Sequence, residues 1–180
     1  MKNDIILIVE PLIPHLRRYA RVLVRDQAGA DDLVQDCLEH MISRWHQRRA
    51  DGNARAWAFT ILHNLAVNAM RQKSRRGEHT PIEDADESQF AQGPSQQEGL
   101  YRRDLLKGLE ALSEEHRSVI LLVSIEDLSY AETASVLGVP IGTVMSRLAR
   151  AREKLLVWME GATPVASVPP SGTVNLRRIK

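Results

Sequence analysis

The chain has 180 residues, of which 43% are hydrophobic and only 4% are aromatic. This length suits one ordinary domain or two small ones, and so few aromatic residues argue against a β-sandwich and favour helices. A net charge of +1 means that any surface for nucleic acid must be local. Cys37 is the only cysteine, which excludes an internal disulfide and a cysteine-based zinc site.

The N-terminal sequence MKNDIILIVEPLIPHLRR does not have the pattern of a signal peptide, because Asp4 and Glu10 interrupt its apolar run. No apolar run approaches the length of a membrane span, so a cytoplasmic protein is expected. The histidines show no metal-ligand spacing, and the chain has neither a phosphate loop nor a nucleophile motif. We therefore predict no enzymatic activity, no metal and no cofactor.

Three stretches among the first 76 residues have apolar side chains at helical spacing and predict a compact helical bundle. The predicted helices cover about residues 10–25, 31–45 and 55–76. Cys37 is expected to be a small buried apolar residue of the second helix. The core faces are predicted to consist of Leu12, Leu16, Tyr19, Ala20 and Leu23; of Leu33, Val34, Cys37, Leu38, Met41, Ile42 and Trp45; and of Trp57, Ala58, Ile61, Leu62, Leu65, Ala66 and Ala69.

The composition changes after residue 76. Residues 77–97 are rich in Gly, Pro, Ser, Gln and acids without a hydrophobic period, which is typical of a flexible linker. Helical spacing then resumes at Leu100, Leu105, Leu106, Leu109 and Leu112, and residues 161–180 have the composition of a disordered tail. We expect an all-α fold with two small helical domains, residues 1–76 and 98–160.

The segment SYAETASVLGVPIGTVMSRLARAREKL, residues 129–155, has the spacing of a helix-turn-helix. Ala134 is the small residue at the helix crossing, Gly138 lies in the turn, and Val144 anchors the second helix. Ser129 and Glu132 form a predicted capping box, and Ser113 is a candidate N-cap of an earlier helix. Leu137, Val139 and Leu148 complete the apolar contacts, and Pro140 stands at the start of the second helix.

The second helix of this motif exposes a polar and basic face that can enter the major groove of DNA. Arg150 could contact guanine O6 and N7 in bidentate fashion, next to Met145, Ser146 and Ala149 on the same face. Phosphate contacts are predicted for three further residues of this helix, Thr143, Arg147 and Arg152. The alternative is a solvated basic face in a plain helical hairpin.

Two faces of the N-terminal bundle also have a distinct chemistry. The non-core face of the third helix offers amides and cations that suit bases and phosphates, although cations at a helix C-terminus also complement its dipole. This face comprises Arg55, His63, Asn64, Asn68, Arg71, Arg75 and Arg76. The second helix has an acidic strip, Asp31, Asp32, Gln35, Asp36 and Glu39, that would repel DNA and should face a protein or only water.

The segments DDLVQDCLEHMISRW, ARAWAFTILHNLAVNAMRQKSRR and LSYAETASVLGVPIGTVMSRLARAREKL, in this order, resemble the extracytoplasmic-function (ECF) class of bacterial sigma factors. The resemblance covers about residues 10–76 and 100–158. It departs from the family at Asn68, where an acid is common, and at Met145, where a basic residue is common.

The resemblance implies a role for each surface. Asp32, Gln35, Asp36 and Glu39 would dock on the clamp helices of the RNA polymerase β′ subunit. The third helix and the loop before it would read and melt the −10 promoter element, with residues 48–53 capturing an extruded base and Trp57 in the core. The C-terminal domain would read the −35 element and contact the β flap. An anti-sigma factor is the further partner that the resemblance implies.

Three other functions remain as alternatives. The chain could be a conventional helix-turn-helix regulator whose N-terminal bundle senses a signal or dimerises. It could be a sigma mimic that sequesters an anti-sigma factor, although such a mimic could lose the DNA-directed arginines that this chain keeps. An enzyme acting on nucleic acid would need an acidic metal site, which the sequence does not offer on a plausible surface.

Overall fold

The computed structural model describes residues 2–48, 52–76 and 96–162, and every regular element in these ranges is helical. This confirms the predicted all-α fold. None of the helices in the described residues has the length and apolar character needed to span a lipid bilayer. The α-helices are α1 (Lys2–Val9), α2 (Ile13–Val24), α3 (Gln27–Ser43), α4 (Ala54–Arg76), α5 (Gln96–Ala111), α6 (Glu114–Ile120), α7 (Tyr130–Leu137) and α8 (Ile141–Ala162).

Helices α2, α3 and α4 pack against one another in the N-terminal half, which we define as residues 2–76. All five residues predicted for the core face of the first helix are buried, four of them in α2 and Leu12 just before it. Tyr19 of α2 meets Phe59 of α4 edge to face, with ring centroids 5.4 Å apart. Burying aromatic and aliphatic side chains of this size contributes about 1.5–3 kcal/mol each, so this contact and its neighbours hold the bundle together.

The buried face of α4 is rotated about the helix axis relative to the predicted core face. Phe59 was not among the predicted core residues, yet it is fully buried because it fills the space beside Tyr19. The buried face of α4 is therefore Ala58, Phe59, Leu62, His63 and Ala66. The predicted core residues Trp57, Ile61, Leu65 and Ala69 are only partly buried at the edges of this face.

Two further predictions about the N-terminal half were wrong. Ile42 is 59% exposed, because Met41 takes the inward position in the last turn of α3 and Ile42 lies one residue further round the helix. The predicted first helix begins at Ile13 rather than near Glu10, since Glu10–Leu12 forms a short 3-10 turn that contains Pro11. Helix α1, which precedes it, was not predicted.

The C-terminal half, defined as residues 96–162, is built around α6 and α8. Leu109 and Leu112 are buried as predicted, and Val119 of α6 is buried as well, whereas Leu100 and Leu105 are exposed on the outer side of α5. Ser113 is the N-cap residue of α6, but its hydroxyl lies 2.9 Å from His116 Nδ1 and does not cap a backbone N–H. The predicted linker up to residue 95 and the predicted tail from residue 163 lie outside the described residues.

The two halves pack against each other, with α4 against α7 and α2 against α5 and α6. Arg117 of α6 is buried at this junction and donates hydrogen bonds to Leu23 O of α2 at 3.0 Å and to Leu109 O of α5 at 2.8 Å. Its guanidinium also reaches the carbonyl oxygens of Glu110 and Leu112. The carbonyl groups of Leu109, Glu110 and Leu112 lie at the C-terminal end of α5. Arg117 therefore links the end of this helix to α2 of the other half.

Candidate nucleic-acid and protein interfaces

The helix-turn-helix is formed by α7, a tight turn and α8. The Ser129 hydroxyl accepts a hydrogen bond from the Glu132 backbone N–H, and the Glu132 carboxylate accepts one from the Ser129 N–H at 2.9 Å. These bonds confirm the predicted capping box. The Ser129 hydroxyl also donates to the Glu132 carboxylate at 2.7 Å, and this bond, together with the one from the Ser129 N–H, lowers the pKa of the Glu132 carboxyl group. Gly138 ends α7 with a φ of +65°, a left-handed conformation that glycine adopts without strain.

The apolar anchors of the motif are placed as the sequence predicts. Val144 and Leu148 of α8 are buried, and Ala134 of α7 is buried at the crossing with α8. The Val139 N–H donates to Ala134 O at 3.1 Å and closes the turn. The orientation of α8 is therefore fixed by its buried side, which leaves the opposite side for a ligand.

The outer face of α8 carries the four residues that we assigned to base contacts. Met145, Ser146, Ala149 and Arg150 are all exposed. Of the residues that we assigned to phosphates, Thr143 is half-buried, Arg147 donates to Glu115 Oε1 at 2.8 Å, and Arg152 donates to Ser124 Oγ at 3.4 Å. A surface ion pair such as Arg147–Glu115 contributes about 0–1 kcal/mol, so a phosphate can replace it.

The outer face of α4 keeps most of its predicted residues. Asn64, Asn68, Arg71, Arg75 and Arg76 are exposed along one side of the helix. They form a polar surface that becomes cationic towards the helix C-terminus.

His63 is not on this face, and its predicted placement was wrong. Its side chain is buried, and its Nδ1 lies 2.9 Å from the Tyr19 hydroxyl. Burial disfavours the charged imidazolium and lowers the pKa of His63 to about 4. The residue was misplaced because the inward face of α4 is centred on Phe59, one position away from the predicted stripe. His63 is thus a neutral core residue of the folded protein.

The exposed part of the acidic strip on α3 consists of Asp32, Gln35, Asp36 and Glu39. Gln35 Nε2 donates to Glu39 Oε1 at 3.2 Å, so the two side chains lie side by side along one face of the helix. Asp31 is half-buried, and its Oδ1 forms an ion pair with Arg21 Nη2 of α2 at 3.3 Å. Four of the five acidic-strip residues are therefore available to a partner.

Between the two halves lies a cleft of about 510 Å³ that borders the loop before α4. The half-buried Trp57 packs edge to face on Trp45, with ring centroids 6.1 Å apart, and the Arg48 guanidinium lies 4.8 Å from the Trp45 ring centroid. Residues 49–51 of the loop predicted to capture a base lie outside the described residues. The opposite wall of the cleft belongs to α7, including Glu132 and Ser135.

The buried carboxylate of Glu126 forms a site that was not predicted from the sequence. Only 1% of this side chain is exposed. Arg18 Nε donates to its Oε1 at 2.8 Å, Arg55 Nη2 donates to its Oε2 at 3.0 Å, and His15 Nδ1 lies 2.8 Å from Oε2. Arg55 was predicted to lie on an open DNA-directed face, but here it is half-buried and bound to an acid of the other half. No sequence spacing indicates this cluster, because its members are 71 or more residues from Glu126.

Two protein-family models match the chain, one in the N-terminal half and one in the C-terminal half. Residues 9–63 match the family model described as the Sigma2 domain of PhyR, and residues 102–155 match Sigma-70, region 4. The ECF RNA polymerase sigma factor EcfG of Rhodopseudomonas palustris is 33% identical over 167 residues, covering 90% of this chain and 87% of the relative. The chain belongs to the ECF class of RNA polymerase sigma factors.

This sigma factor is also 34% identical to the RNA polymerase sigma-E factor of Streptomyces coelicolor over 140 residues, covering 78% of this chain and 77% of that protein. Among solved structures, the sigma factor RpoE in complex with the anti-sigma factor NepR from Bartonella quintana is 30% identical, with a TM-score of 0.72 over 88% of this chain and 96% of that chain. CnrH in complex with the cytosolic domain of CnrY shares the fold, with a TM-score of 0.66 at 23% identity over 91% of this chain and 92% of that chain. Sigma factors are transcription-initiation factors and not an enzyme family.

Proposed function

We propose that this ECF sigma factor binds core RNA polymerase and directs promoter-specific initiation of transcription. Residues 1–76 would dock on polymerase and recognise and melt the −10 element, and residues 98–160 would read the −35 element. The observation that carries the proposal is the pairing, in one chain, of an exposed acidic strip with two separate polar-to-cationic helix faces.

The acidic strip on α3 is the proposed docking surface for polymerase. Asp32, Asp36 and Glu39 are exposed and lie on a helix that is fixed in place by Leu33, Cys37 and Met41 on its buried side. A rigid row of carboxylates repels DNA and attracts a basic protein surface, for which the β′ clamp helices are the candidate. The β flap is the candidate partner of the C-terminal half.

A double charge reversal tests this docking surface. We expect Asp32→Arg combined with Asp36→Arg to abolish binding to purified core polymerase, because two attractive contacts become repulsive. Both side chains point to solvent, so the helical circular dichroism spectrum and the melting temperature should change little. The readout is co-elution of the sigma factor with core polymerase in size-exclusion chromatography.

The matched control reverses two exposed acids elsewhere, Glu153→Arg with Glu160→Arg on α8. It adds the same charge to the protein and should leave polymerase binding intact. Wild-type co-elution by the Asp32/Asp36 variant would refute the docking assignment.

Promoter DNA is the proposed ligand of the outer faces of α4 and α8. Asn64, Asn68, Arg71, Arg75 and Arg76 would contact the −10 element, joined by Arg55 when it is released from Glu126. Met145, Ser146, Ala149 and Arg150 would approach −35 bases, while Thr143, Arg147 and Arg152 would hold phosphates. Amides and guanidinium groups offer the donors that base edges and phosphates accept.

An anti-sigma factor is a further proposed partner. The Bartonella quintana sigma factor that resembles this chain at 30% identity was solved in complex with the anti-sigma factor NepR. We also propose that the protein is cytoplasmic and performs no bond chemistry of its own, since phosphodiester synthesis belongs to the polymerase.

A further inference from the structure

We propose that the C-terminal half acts as an intramolecular lock on the −10 surface. In this closed state the Glu126 carboxylate binds Arg55, an arginine that promoter DNA needs. We call the cluster of Glu126 with His15, Arg18 and Arg55 the Glu126 lock. The inference rests on the proposed function, because it assumes that Arg55 and the neighbouring loop serve the −10 element. It adds a competition within the chain itself between closure and DNA binding.

The first observation is the burial of the Glu126 carboxylate between the two halves. A buried carboxylate is costly unless it is paired and hydrogen-bonded, and within the described residues the side chains that pair with it, those of His15, Arg18 and Arg55, belong to the N-terminal half. Arg55 also donates to the Glu126 backbone carbonyl at 2.7 Å. Separating the halves would therefore hydrate Glu126 and release Arg18 and Arg55 together.

The local backbone presents Glu126 to the other half. Residues 121–125 form a π-helical turn, and the Glu126 N–H donates to Leu121 O at 2.9 Å to end it. Asp127 then adopts a φ of +53°, and Leu128 returns to the core. Short π-helical turns are rare and occur frequently at functional sites. Here the turn places an acid outside the core of its own half.

The second observation is a further acid at the predicted −10 loop. Glu132 of α7 accepts a hydrogen bond from Asn53 Nδ2, just before α4 begins. Together with Ser135 it forms one wall of the cleft whose other wall includes Arg48 and Trp57. Carboxylates accept hydrogen bonds from guanidinium and amide groups as phosphates do, so two acids of the C-terminal half occupy positions suited to DNA.

The third observation is that the closed state leaves a donor of Arg55 unused. Its Nε is shielded from solvent and has no hydrogen-bond partner among the described residues. A buried donor without an acceptor is unfavourable, so the lock satisfies Arg55 incompletely. A DNA phosphate could accept from Arg55 through two parallel N–H groups and replace the carboxylate.

The consequence is a population effect on promoter binding. A ligand that binds only the open state has an apparent affinity reduced by the fraction of molecules that are open. Polymerase would favour opening if it holds the two halves apart. The exposed face of α8 remains accessible in the closed state, so the lock acts on the −10 surface and not on the −35 helix.

The test compares Glu126→Gln in the full chain with Asp127→Asn, a matched control at the adjacent exposed carboxylate. Glutamine keeps the size of the side chain but removes the charge and turns an NH₂ group towards a guanidinium. Asparagine at position 127 tolerates the left-handed φ. A second variant, Arg18→Met, weakens the lock from the other half at a residue that we do not assign to DNA. Thermal unfolding followed by circular dichroism verifies that each variant is folded.

Two quantities are measured on each protein. Small-angle X-ray scattering gives the radius of gyration, and fluorescence anisotropy gives the affinity for a labelled, mixed-sequence, single-stranded DNA. We expect Glu126→Gln and Arg18→Met to raise both, and Asp127→Asn to raise neither. If one wild-type molecule in ten is open, full opening raises the apparent affinity about tenfold.

An unchanged radius of gyration in both lock variants would overturn the lock. Expansion without any gain in DNA affinity would overturn its inhibitory role. Co-elution with core polymerase, measured on the same preparations, reports separately on the proposed function. A failure of that function is thereby distinguished from a failure of the lock.

Discussion

At the scale of single residues, His63 shows how burial sets the protonation state of a side chain. The imidazole lies between α2 and α4 beside Tyr19, whose own pKa is raised, mainly by burial. Both groups are therefore neutral in the folded protein near pH 7. Since the pKa of His63 falls to about 4 in the folded state from an ordinary value of 6.5, protonation favours the unfolded state.

The stability contributed by neutral His63 is fully present above pH 6.5 and is lost as the pH falls from 6.5 towards about 4, where the unfolded state binds the proton and the folded state does not. Between pH 7.5 and pH 5 this loss amounts to about 2 kcal/mol. Urea unfolding of the wild type and of His63→Gln at the two pH values measures it.

The other five histidines are present in both proteins, so the comparison isolates His63. We expect a smaller loss of unfolding free energy on acidification in His63→Gln than in the wild type. Equal losses in the two proteins would mean that His63 is not a buried neutral group.

Residue burial could be predicted from the sequence only where the phase of the helix was clear. Cys37 was predicted to be buried and is, and burial raises its thiol pKa to about 12. His63 was misplaced because the apolar residues of α4 extend over a wide arc, and Phe59 decides which part of it faces inward. Glu126 was missed because a buried acid resembles an exposed one until its distant partners are known.

At the scale of elements, the helix-turn-helix could be predicted nearly in full. Its capping box, turn glycine and buried anchors are local features, and local hydrogen bonding and steric fit determine them. The bounds of α3 and α4 were predicted to within a few residues, because helical spacing that continues over many residues leaves little doubt about where a helix lies. Helix α1 was missed since its short apolar run was considered only as a signal peptide.

The outer face of α8 allows base contacts to be separated from phosphate contacts. We expect Arg150→Ala to lose about 1–3 kcal/mol of −35 binding and to relax specificity at one base pair. Arg152→Ala should instead weaken binding to all sequences and reduce the salt slope by about one. Anisotropy titrations with a set of single-base −35 duplexes at several salt concentrations make the comparison.

Arg152→Ala is the matched control on the same helix, since both side chains are exposed cations. If Arg150→Ala weakens every duplex equally, Arg150 contacts only phosphate.

At the scale of the whole molecule, the all-α fold and the order of the two halves could be predicted, but their closure could not. Arg117 binds the Leu23 carbonyl across 94 residues, and Glu126 collects partners from 71 to 111 residues away. Such contacts depend on how two finished surfaces meet, and neither periodicity nor motif spacing encodes that. The same closure gives the free protein a state in which Arg55 is unavailable to DNA.

The central claim is that one acidic helix surface recruits polymerase while two other helix surfaces hold a promoter. Run-off transcription with purified core polymerase, across a promoter library and without any inhibitor protein, tests it most directly. We expect the wild-type chain to produce transcripts from a defined start site and the Asp32→Arg, Asp36→Arg variant to produce none. If the folded wild-type chain gives no defined start on any template, the account is contradicted.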